Sequence, residues 1–138
     1  MQTFLPYPDF QKTAETLDYR RLGKQRLEAK QILNAMTTGG GWSHHPATLM
    51  WKGYEPALMA YYNGVVREWI ARGYRNTMPF MELTGEIVYP PWFGREDFHS
   101  VHRAALLAKD YGFYSKYGWS EDPGIAYIWP VMIADLTR

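Results

Sequence analysis

A chain of 138 residues with a formal net charge of +1 is long enough for one domain with its own hydrophobic core. It contains no cysteine, which excludes thiolate catalysis, disulfides and cysteine-ligated metal sites. No apolar run reaches membrane-spanning length, and the first ten residues lack the basic and then apolar order of a signal peptide. We therefore predict a single domain over residues 1–138, located in the cytoplasm and without a membrane partner.

The first seventeen residues are predicted to form an extended arm and then a short helix. Pro6 and Pro8 disfavour a helix over the arm, because proline lacks an amide donor and restricts the residue before it. Asp9 is a suitable N-cap for a helical turn that ends near Leu17. We expect the arm to end where this helix begins.

The longest predicted helix runs from Asp18, its expected N-cap, to Met36, and three glycines at positions 39–41 end it. At helical spacing, one apolar stripe consists of Leu22, Ala29, Leu33 and Met36. A second line of side chains along the same helix consists of Arg21, Gln25, Glu28 and Ile32. Gly23 costs about 1 kcal/mol relative to alanine inside a helix, which predicts close approach of another backbone or a ligand at that position.

Positive charge is concentrated on this helix. Residues 18–30 contain five basic and two acidic side chains and so contribute +3, which leaves −2 for the rest of the chain. A basic face on a near-neutral protein predicts phosphate binding through few contacts. The alternative interpretation is a solvated amphipathic helix with ion pairs such as Lys24 with Glu28.

A second long helix is predicted after the glycine loop. Pro46 begins a short helical turn, and apolar spacing then indicates a helix over residues 55–72, with Gly73 at its C′ position. Residues 74–97 lose this periodicity and gain three prolines, which predicts either a short strand or an irregular wall.

A third helix is predicted over residues 101–114, with Ser100 as its N-cap and three inward-facing residues, Ala104, Leu107 and Ala108. After a turn at residues 121–124, the tail is an aromatic and apolar segment that ends at Trp129 and Pro130. The predicted fold class is all-α: a compact single-domain bundle of three main helices with long irregular loops.

The histidines do not predict a metal site. His44 and His45 are adjacent and diverge on most backbones, while His99 and His102 are spaced by three residues but have no obvious third ligand. We therefore predict no metal and no cofactor. The sequence has neither a phosphate-binding P-loop nor a Gly-x-Ser-x-Gly elbow, which leaves amines, carboxylates and hydroxyls as nucleophiles. An amine can form a Schiff base with an aldehydic carbon while a nearby carboxylate transfers protons.

The aromatic residues allow two interpretations. Trp51, Tyr54, Tyr61, Tyr62 and Trp69 follow helical spacing, which is typical of a core but also compatible with stacking. Residues 111–119 alternate aromatics with glycine and Lys116, a pattern that suits either a surface for unstacked bases or an aromatic plug over the core.

The order of several motifs resembles the pyrimidine-dimer DNA glycosylases of the endonuclease V type. Tyr19-Arg20-x-Leu22 is similar to the Tyr-Arg-Glu-Leu that begins the active-site helix of that family. The stretch from His45 to Arg72-Gly73-Tyr74, with Tyr54 and Leu58, resembles the central helix and its Arg-Gly-Phe end. Asp97-Phe98 and the histidine-containing helix, followed by residues 113–118, resemble the third helix and the C-terminal Trp-Tyr-Lys-Tyr-Tyr-Gly.

This resemblance implies a small all-helical enzyme with a bifunctional mechanism. In such enzymes the N-terminal α-amine attacks the sugar C1′ of a damaged nucleotide, a Schiff base forms, and a helix glutamate assists before β-elimination nicks the strand. Basic residues hold a kinked duplex from which a base is flipped.

The chain departs from the family pattern at two positions that bear on this chemistry. The family uses the amine of a small residue exposed by removal of the initiator methionine, whereas Gln2 is large and Met1 retains an α-amine displaced by one residue. Arg21 replaces the glutamate of Tyr-Arg-Glu-Leu. Glu28 is the candidate for a relocated carboxylate, two turns and about 10 Å further along the helix.

The leading hypothesis is a DNA glycosylase and abasic-site lyase that acts on damaged or modified pyrimidines in double-stranded DNA, as a monomer. The expected catalytic residues are Met1, Gln2, Lys24 and Glu28. The expected DNA-binding residues are Arg20, Arg21, Gln25, Arg26, His45, Trp51, Tyr54, His102, Arg103, Lys116 and Tyr117.

Two alternatives use the same scaffold. One is a non-catalytic nucleic-acid-binding module, favoured by the absence of the helix glutamate and by the unusual N-terminus. The other is a nucleotide or small-molecule pocket, favoured by the near-neutral charge and lined by Arg21, Gln25, Glu28, His45, Trp51, His102 and Arg103.

Overall fold

The computed structural model describes residues 2–83 and 85–124, and the ordered elements in these ranges are helical. The helices are α1 (Phe10–Thr16), α2 (Tyr19–Thr38), α3 (Pro46–Leu49), α4 (Glu55–Ala71), α5 (Glu96–Lys109) and α6 (Tyr111–Tyr114), followed by a 3-10 turn at Ser115–Tyr117. The described ranges contain no β-strand, so the all-α prediction is confirmed. The predicted tail segment ending at Trp129 and Pro130 lies outside the described residues.

The centre of the fold is the contact between α2 and α4, against which α1 also packs. The predicted apolar stripe of α2 is confirmed, because Leu22, Ala29 and Leu33 are buried and Met36 is partly buried against them. Tyr61 on α4 is among the largest fully buried side chains.

Gly23 lies where α2 meets the ring of Trp69 on α4. A Cβ atom at Gly23 would lie 3.0 Å from the nearest atom of that indole. The close approach is therefore present, but the neighbour is an aromatic side chain rather than the backbone or ligand that was predicted.

Arg72, the residue after α4, forms hydrogen bonds to the end of α1 and so connects α1 to α4. Its guanidinium donates to the carbonyl oxygens of Ala14 (3.1 Å), Glu15 (3.2 Å) and Leu17 (2.7 Å), and also pairs with Glu68 (2.8 Å). The last carbonyls of a helix have no partner within the helix, so one side chain here satisfies several of them.

The segment between α4 and α5 is an irregular wall, the second of the two predicted possibilities. Asn63 on α4 makes two side-chain bonds of 2.8 Å to the backbone of Met81, and the Tyr62 hydroxyl donates to the carbonyl of Pro79 at 2.8 Å. Side chains of α4 thus satisfy backbone groups that a strand would pair with a neighbouring strand.

The predicted start of α2 is confirmed, whereas its predicted capping bond and the predicted start of the third helix are wrong. Asp18 occupies the N-cap position of α2, but its side chain makes no capping bond and instead accepts from Arg21 and Tyr114. α5 begins at Glu96 rather than after Ser100, because acidic residues in its first turn favour the positive end of the helix dipole.

The end of α5 also differs from the predicted third helix. α5 ends at Lys109, and Asp110 begins α6 by accepting from the amide of Phe113 at 3.2 Å. As predicted, Ala104 and Leu107 are buried, whereas Ala108 is exposed.

Candidate active site

Residues 3–5 of the arm lie in the interior, and the side chain of Gln25 on α2 holds the arm in place. The Gln25 amide nitrogen donates to the carbonyl oxygen of Gln2 at 2.9 Å, and its oxygen accepts from the amide of Phe4 at 3.2 Å. Thr3, Phe4 and Leu5 are buried. The arm that the prolines predicted is therefore packed against the helix that carries most of the basic side chains.

Two histidines of α5 hold the arm from its other side. Nδ1 of His99 donates to the Leu5 carbonyl oxygen at 2.7 Å, since Nε2 of the same ring accepts from the amide of Gly94 at 2.9 Å. Nδ1 of His102 accepts from the Leu5 amide at 2.9 Å. This arrangement needs two neutral imidazoles, and burial lowers the pKa of both rings, that of His102 to about 3.

A cavity of about 410 Å³ opens beside the start of the arm. Its walls come from the arm, from one face of α2 and from the end of α5: Gln2, Phe4, Arg20, Arg21, Lys24, Gln25, Glu28 and Lys109. Four of these side chains are cations and one is a carboxylate. Such a lining favours an anionic ligand and places one acid–base group beside it.

Glu28 is the carboxylate of this cavity. It is partly buried, and its Oε2 accepts a hydrogen bond of 2.8 Å from the Gln25 amide. The ion pair with Lys24 that the alternative interpretation predicted is not among the salt bridges of the described residues. Lys24 is exposed and contributes a primary amine to the same cavity.

Arg21 is held in place by an ion pair with Asp18. Its guanidinium pairs with Asp18 at 3.3 Å, and Asp18 also accepts from the hydroxyl of Tyr114. Burial and the neighbouring carboxylate raise the pKa of Tyr114 above its usual range, which keeps the phenol protonated as a donor. Arg21 is therefore a cation held in place by Asp18 in the wall of the cavity.

The structure corrects the pocket predicted from sequence, because three of its seven residues lie in the interior away from the cavity. Trp51 is fully buried and donates through its indole to Thr3 at 3.0 Å. His102 bonds Leu5, and Arg103 pairs with Glu96 and, at 3.0 Å, with Glu121. These polar atoms bond within the fold, and none of the three residues lines the cavity beside the arm.

His45 and Tyr54 also lie outside the cavity. His45 is the N-cap of α3, where its Nδ1 accepts from the amide of Ala47 at 3.0 Å, and burial lowers its pKa. Tyr54 is the N-cap residue of α4 and packs partly buried against the core.

The remaining predicted DNA-binding residues make contacts elsewhere. The Arg26 guanidinium lies 4.0 Å from the ring centre of Trp69 and donates to Asn76 at 2.9 Å. Lys116 lies over the ring of Phe113 at 3.8 Å, and the Tyr117 hydroxyl donates to the carbonyl of Thr16 at 2.9 Å. Four aromatics of residues 111–119 pack on one another, as in the plug interpretation: Phe113, Tyr117, Trp119 and the fully buried Tyr114. Tyr111, by contrast, is exposed.

Sequence reasoning missed two residues of the cavity, Phe4 and Lys109. Lys109 is the basic residue in the last turn of α5, a place where cations are common for helix-dipole reasons alone. Only the packing of α5 against the arm brings it to α2, and no local pattern in the sequence reports that contact.

Two classes of site find no support in the described part of the chain. It holds no group of three or more histidine or carboxylate side chains able to bind a metal ion. Among the residues that the structure describes, no helix combines the length and apolar content needed to cross a bilayer.

Comparison with known proteins identifies the family. A family model described as pyrimidine dimer DNA glycosylase matches residues 1–82, which is more than half of the chain and includes every cavity residue except Lys109. No curated protein and no solved structure gives a significant match. The chain belongs to the pyrimidine dimer DNA glycosylase family, whose description implies a DNA substrate.

Proposed function

We propose that the protein is a DNA glycosylase with abasic-site lyase activity, acting through a Schiff base on damaged or modified pyrimidines. One observation carries the proposal: a carboxylate and four cations, one of them the primary amine of Lys24, line the same cavity in a chain of this family. The amine is the α-amine of Met1, whose neighbour Gln2 lines the cavity, or the ε-amine of Lys24.

The proposed reaction needs an unprotonated amine and a group that moves protons. The amine forms a bond to C1′ as the bond from C1′ to the base breaks, and the base leaves with that electron pair and gains a proton. Opening of the sugar ring moves a proton to O4′ and gives a protonated Schiff base. Glu28 is the proposed acid–base group, because it is the carboxylate in the cavity.

Strand cleavage follows from the same intermediate. Removal of a proton from C2′ forms a C2′–C3′ double bond and breaks the C3′–O bond, so that the 3′ phosphate leaves with the electron pair. Water then hydrolyses the Schiff base and regenerates the amine. Positioning the C2′ proton near one carboxylate is the main demand of this step.

The cations of the cavity are proposed to bind the phosphates on either side of the reacting sugar. Arg20 and Lys24 are exposed on α2, and Lys109 reaches the same cavity from α5. Cations from two helices can hold successive phosphates of a strand whose nucleotide has been flipped out of the stack. The small net charge of the chain limits the number of such contacts and so predicts a modest salt slope.

Borohydride trapping tests the proposal directly. The purified protein is incubated with a duplex that contains one abasic site, and separately with one thymine dimer, in the presence of borohydride. We expect a covalent adduct, located by mass spectrometry on the N-terminal amine or on Lys24. An abasic duplex that gives no adduct, or an adduct on a residue outside the cavity, would contradict the proposal.

A pair of lysine variants separates the two amines. Lys24→Gln removes the cavity amine, and Lys30→Gln removes an exposed lysine of the same helix that does not line the cavity. If the α-amine reacts, both variants form the adduct on the N-terminal residue. If Lys24 reacts, only Lys24→Gln loses it.

The size of the cavity also favours a second function, the binding of a free nucleotide. About 410 Å³ lies within the range of ligand sites, and the cavity lining combines cations with amide and carboxylate groups. In that case a pyrimidine mononucleotide would bind at low micromolar concentration and abasic duplex would not compete with it. Competition by duplex DNA favours the glycosylase proposal.

A further inference from the structure

We propose that Gln25 is a positioning residue for this reaction, one that holds the start of the chain and the Glu28 carboxylate in a fixed relation. The inference rests on the proposed function and adds to it a residue in the cavity wall whose side-chain polar atoms are all bonded within the protein. Sequence reasoning placed Gln25 among the DNA-binding residues, whereas its side chain is fully buried.

Every polar atom of the Gln25 side chain has a partner. The amide nitrogen donates one hydrogen to the carbonyl of Gln2 at 2.9 Å and the other to Glu28 at 2.8 Å. The amide oxygen accepts from the backbone of Phe4 at 3.2 Å and from the hydroxyl of Tyr61 at 2.6 Å. Two donors on one side and two acceptors on the other fix which end of the amide is nitrogen.

No other side chain of this size can make the same set of bonds. An ionised glutamate would place an oxygen against the Gln2 carbonyl and the Glu28 carboxylate, where both neighbours are acceptors. Methionine has the length but leaves four buried or partly buried polar groups without this partner. Only a neutral amide joins the arm, α4 and Glu28 at once.

The bond to Glu28 is the observation that favours a positioning role for Gln25 over a purely structural one. A glutamine that served only to hold the arm would need its contacts with Gln2, Phe4 and Tyr61. The additional bond of 2.8 Å joins one oxygen of Glu28 to the same amide nitrogen that donates to the Gln2 carbonyl at 2.9 Å. Since a misplacement of about 1 Å can cost roughly 100-fold in rate, we expect this link between Gln2 and Glu28 to affect the rate of the reaction.

Two variants of Gln25 test the inference under single-turnover conditions with abasic duplex. For folded Gln25→Met we expect a nicking rate about 100-fold below wild type, with the Kd for the same duplex within about threefold. For Gln25→Glu we expect the rate relative to wild type to rise as the pH falls, because a protonated carboxyl regains one donor. Gln11→Glu, at an exposed site on α1, is the matched control and keeps the wild-type rate and pH profile.

The outcomes distinguish this inference from the proposed function. If wild type nicks and traps, and folded Gln25→Met nicks at the wild-type rate, the positioning role is overturned while the function stands. If wild type neither traps nor nicks, the proposed function fails and the positioning role fails with it. In that case, hydrogen exchange at the Phe4 amide tests only whether Gln25 holds the arm in place. Faster exchange in Gln25→Met supports this structural role, and unchanged exchange overturns it.

Discussion

Replacement of His102 by asparagine is expected to make the stability of the protein depend less on pH in mild acid. Nδ1 of His102 accepts from the Leu5 amide, and this bond exists only while the ring is neutral. Asparagine can offer its side-chain oxygen near the same position but does not titrate. The variant thus keeps an acceptor for the arm and removes a proton-binding site.

The sign and size follow from the pKa of this ring. Burial lowers the pKa of His102 in the folded protein from 6.5 to about 3, so the unfolded chain binds one more proton between these values. The contribution of the neutral ring is therefore fully present above pH 6.5 and is lost as the pH falls towards 3. At about 1.4 kcal/mol per pH unit, His102 accounts for a loss of about 2 kcal/mol between pH 6.5 and 5.

Urea unfolding of both proteins at pH 7, 6.5, 6, 5.5 and 5 measures this difference. The absolute stability of the variant at pH 7 is lower, because the imidazole packs against Phe4 and Phe98. The change with pH is the quantity of interest. His99, whose pKa is also lowered by burial, leaves a residual slope of the same sign in the variant. Equal slopes for wild type and His102→Asn would refute the reasoning.

Three further substitutions probe the fold and the cavity. Gly23→Ala should lower the free energy of unfolding, measured by thermal or urea unfolding, by about 1 kcal/mol. The new Cβ would crowd the ring of Trp69, which Tyr19 and Arg26 hold in place, and this cost exceeds the gain in helix propensity; a more stable variant would contradict this. Arg72→Ala should cost about 2–3 kcal/mol in the same assay through the carbonyls left without a donor at the end of α1, and a loss below about 0.5 kcal/mol would show that water replaces them. Arg20→Ala should weaken binding of abasic duplex and reduce the slope of log K against log salt by about 1, whereas an unchanged slope would remove Arg20 from the interface.

The centre of the fold could be predicted from the sequence because it depends on local periodicity. Leu22, Ala29 and Leu33 recur at helical spacing and are buried, and the glycines after α2 end it close to the predicted position. Gly23 could be recognised as a contact point because its cost in a helix needs a compensating reason. The helical spacing also placed Arg21, Gln25 and Glu28 on one line, and all three line the cavity.

The placements that could not be predicted concern residues whose partners are distant in sequence. His102 and Arg103 are residue types that are common in functional sites, but here their side chains bond to Leu5, Pro6 and Glu121. A buried polar side chain is stable where backbone groups satisfy it, and the sequence does not show which backbone will be near. Lys109 was overlooked for the converse reason, since an ordinary helix-end lysine becomes part of the cavity only through packing.

The most direct test of the account is the rate at which a Glu28 variant nicks an abasic duplex. Glu28→Gln removes the proposed acid–base group without adding bulk, and Glu82→Gln, at an exposed glutamate outside the cavity, is its control. Single-turnover nicking and duplex binding are measured side by side. We expect Glu28→Gln to lose at least about 100-fold in nicking rate and to bind the duplex nearly as well as wild type, and we expect Glu82→Gln to be unchanged in both. Nicking by Glu28→Gln at the wild-type rate would contradict the proposed mechanism.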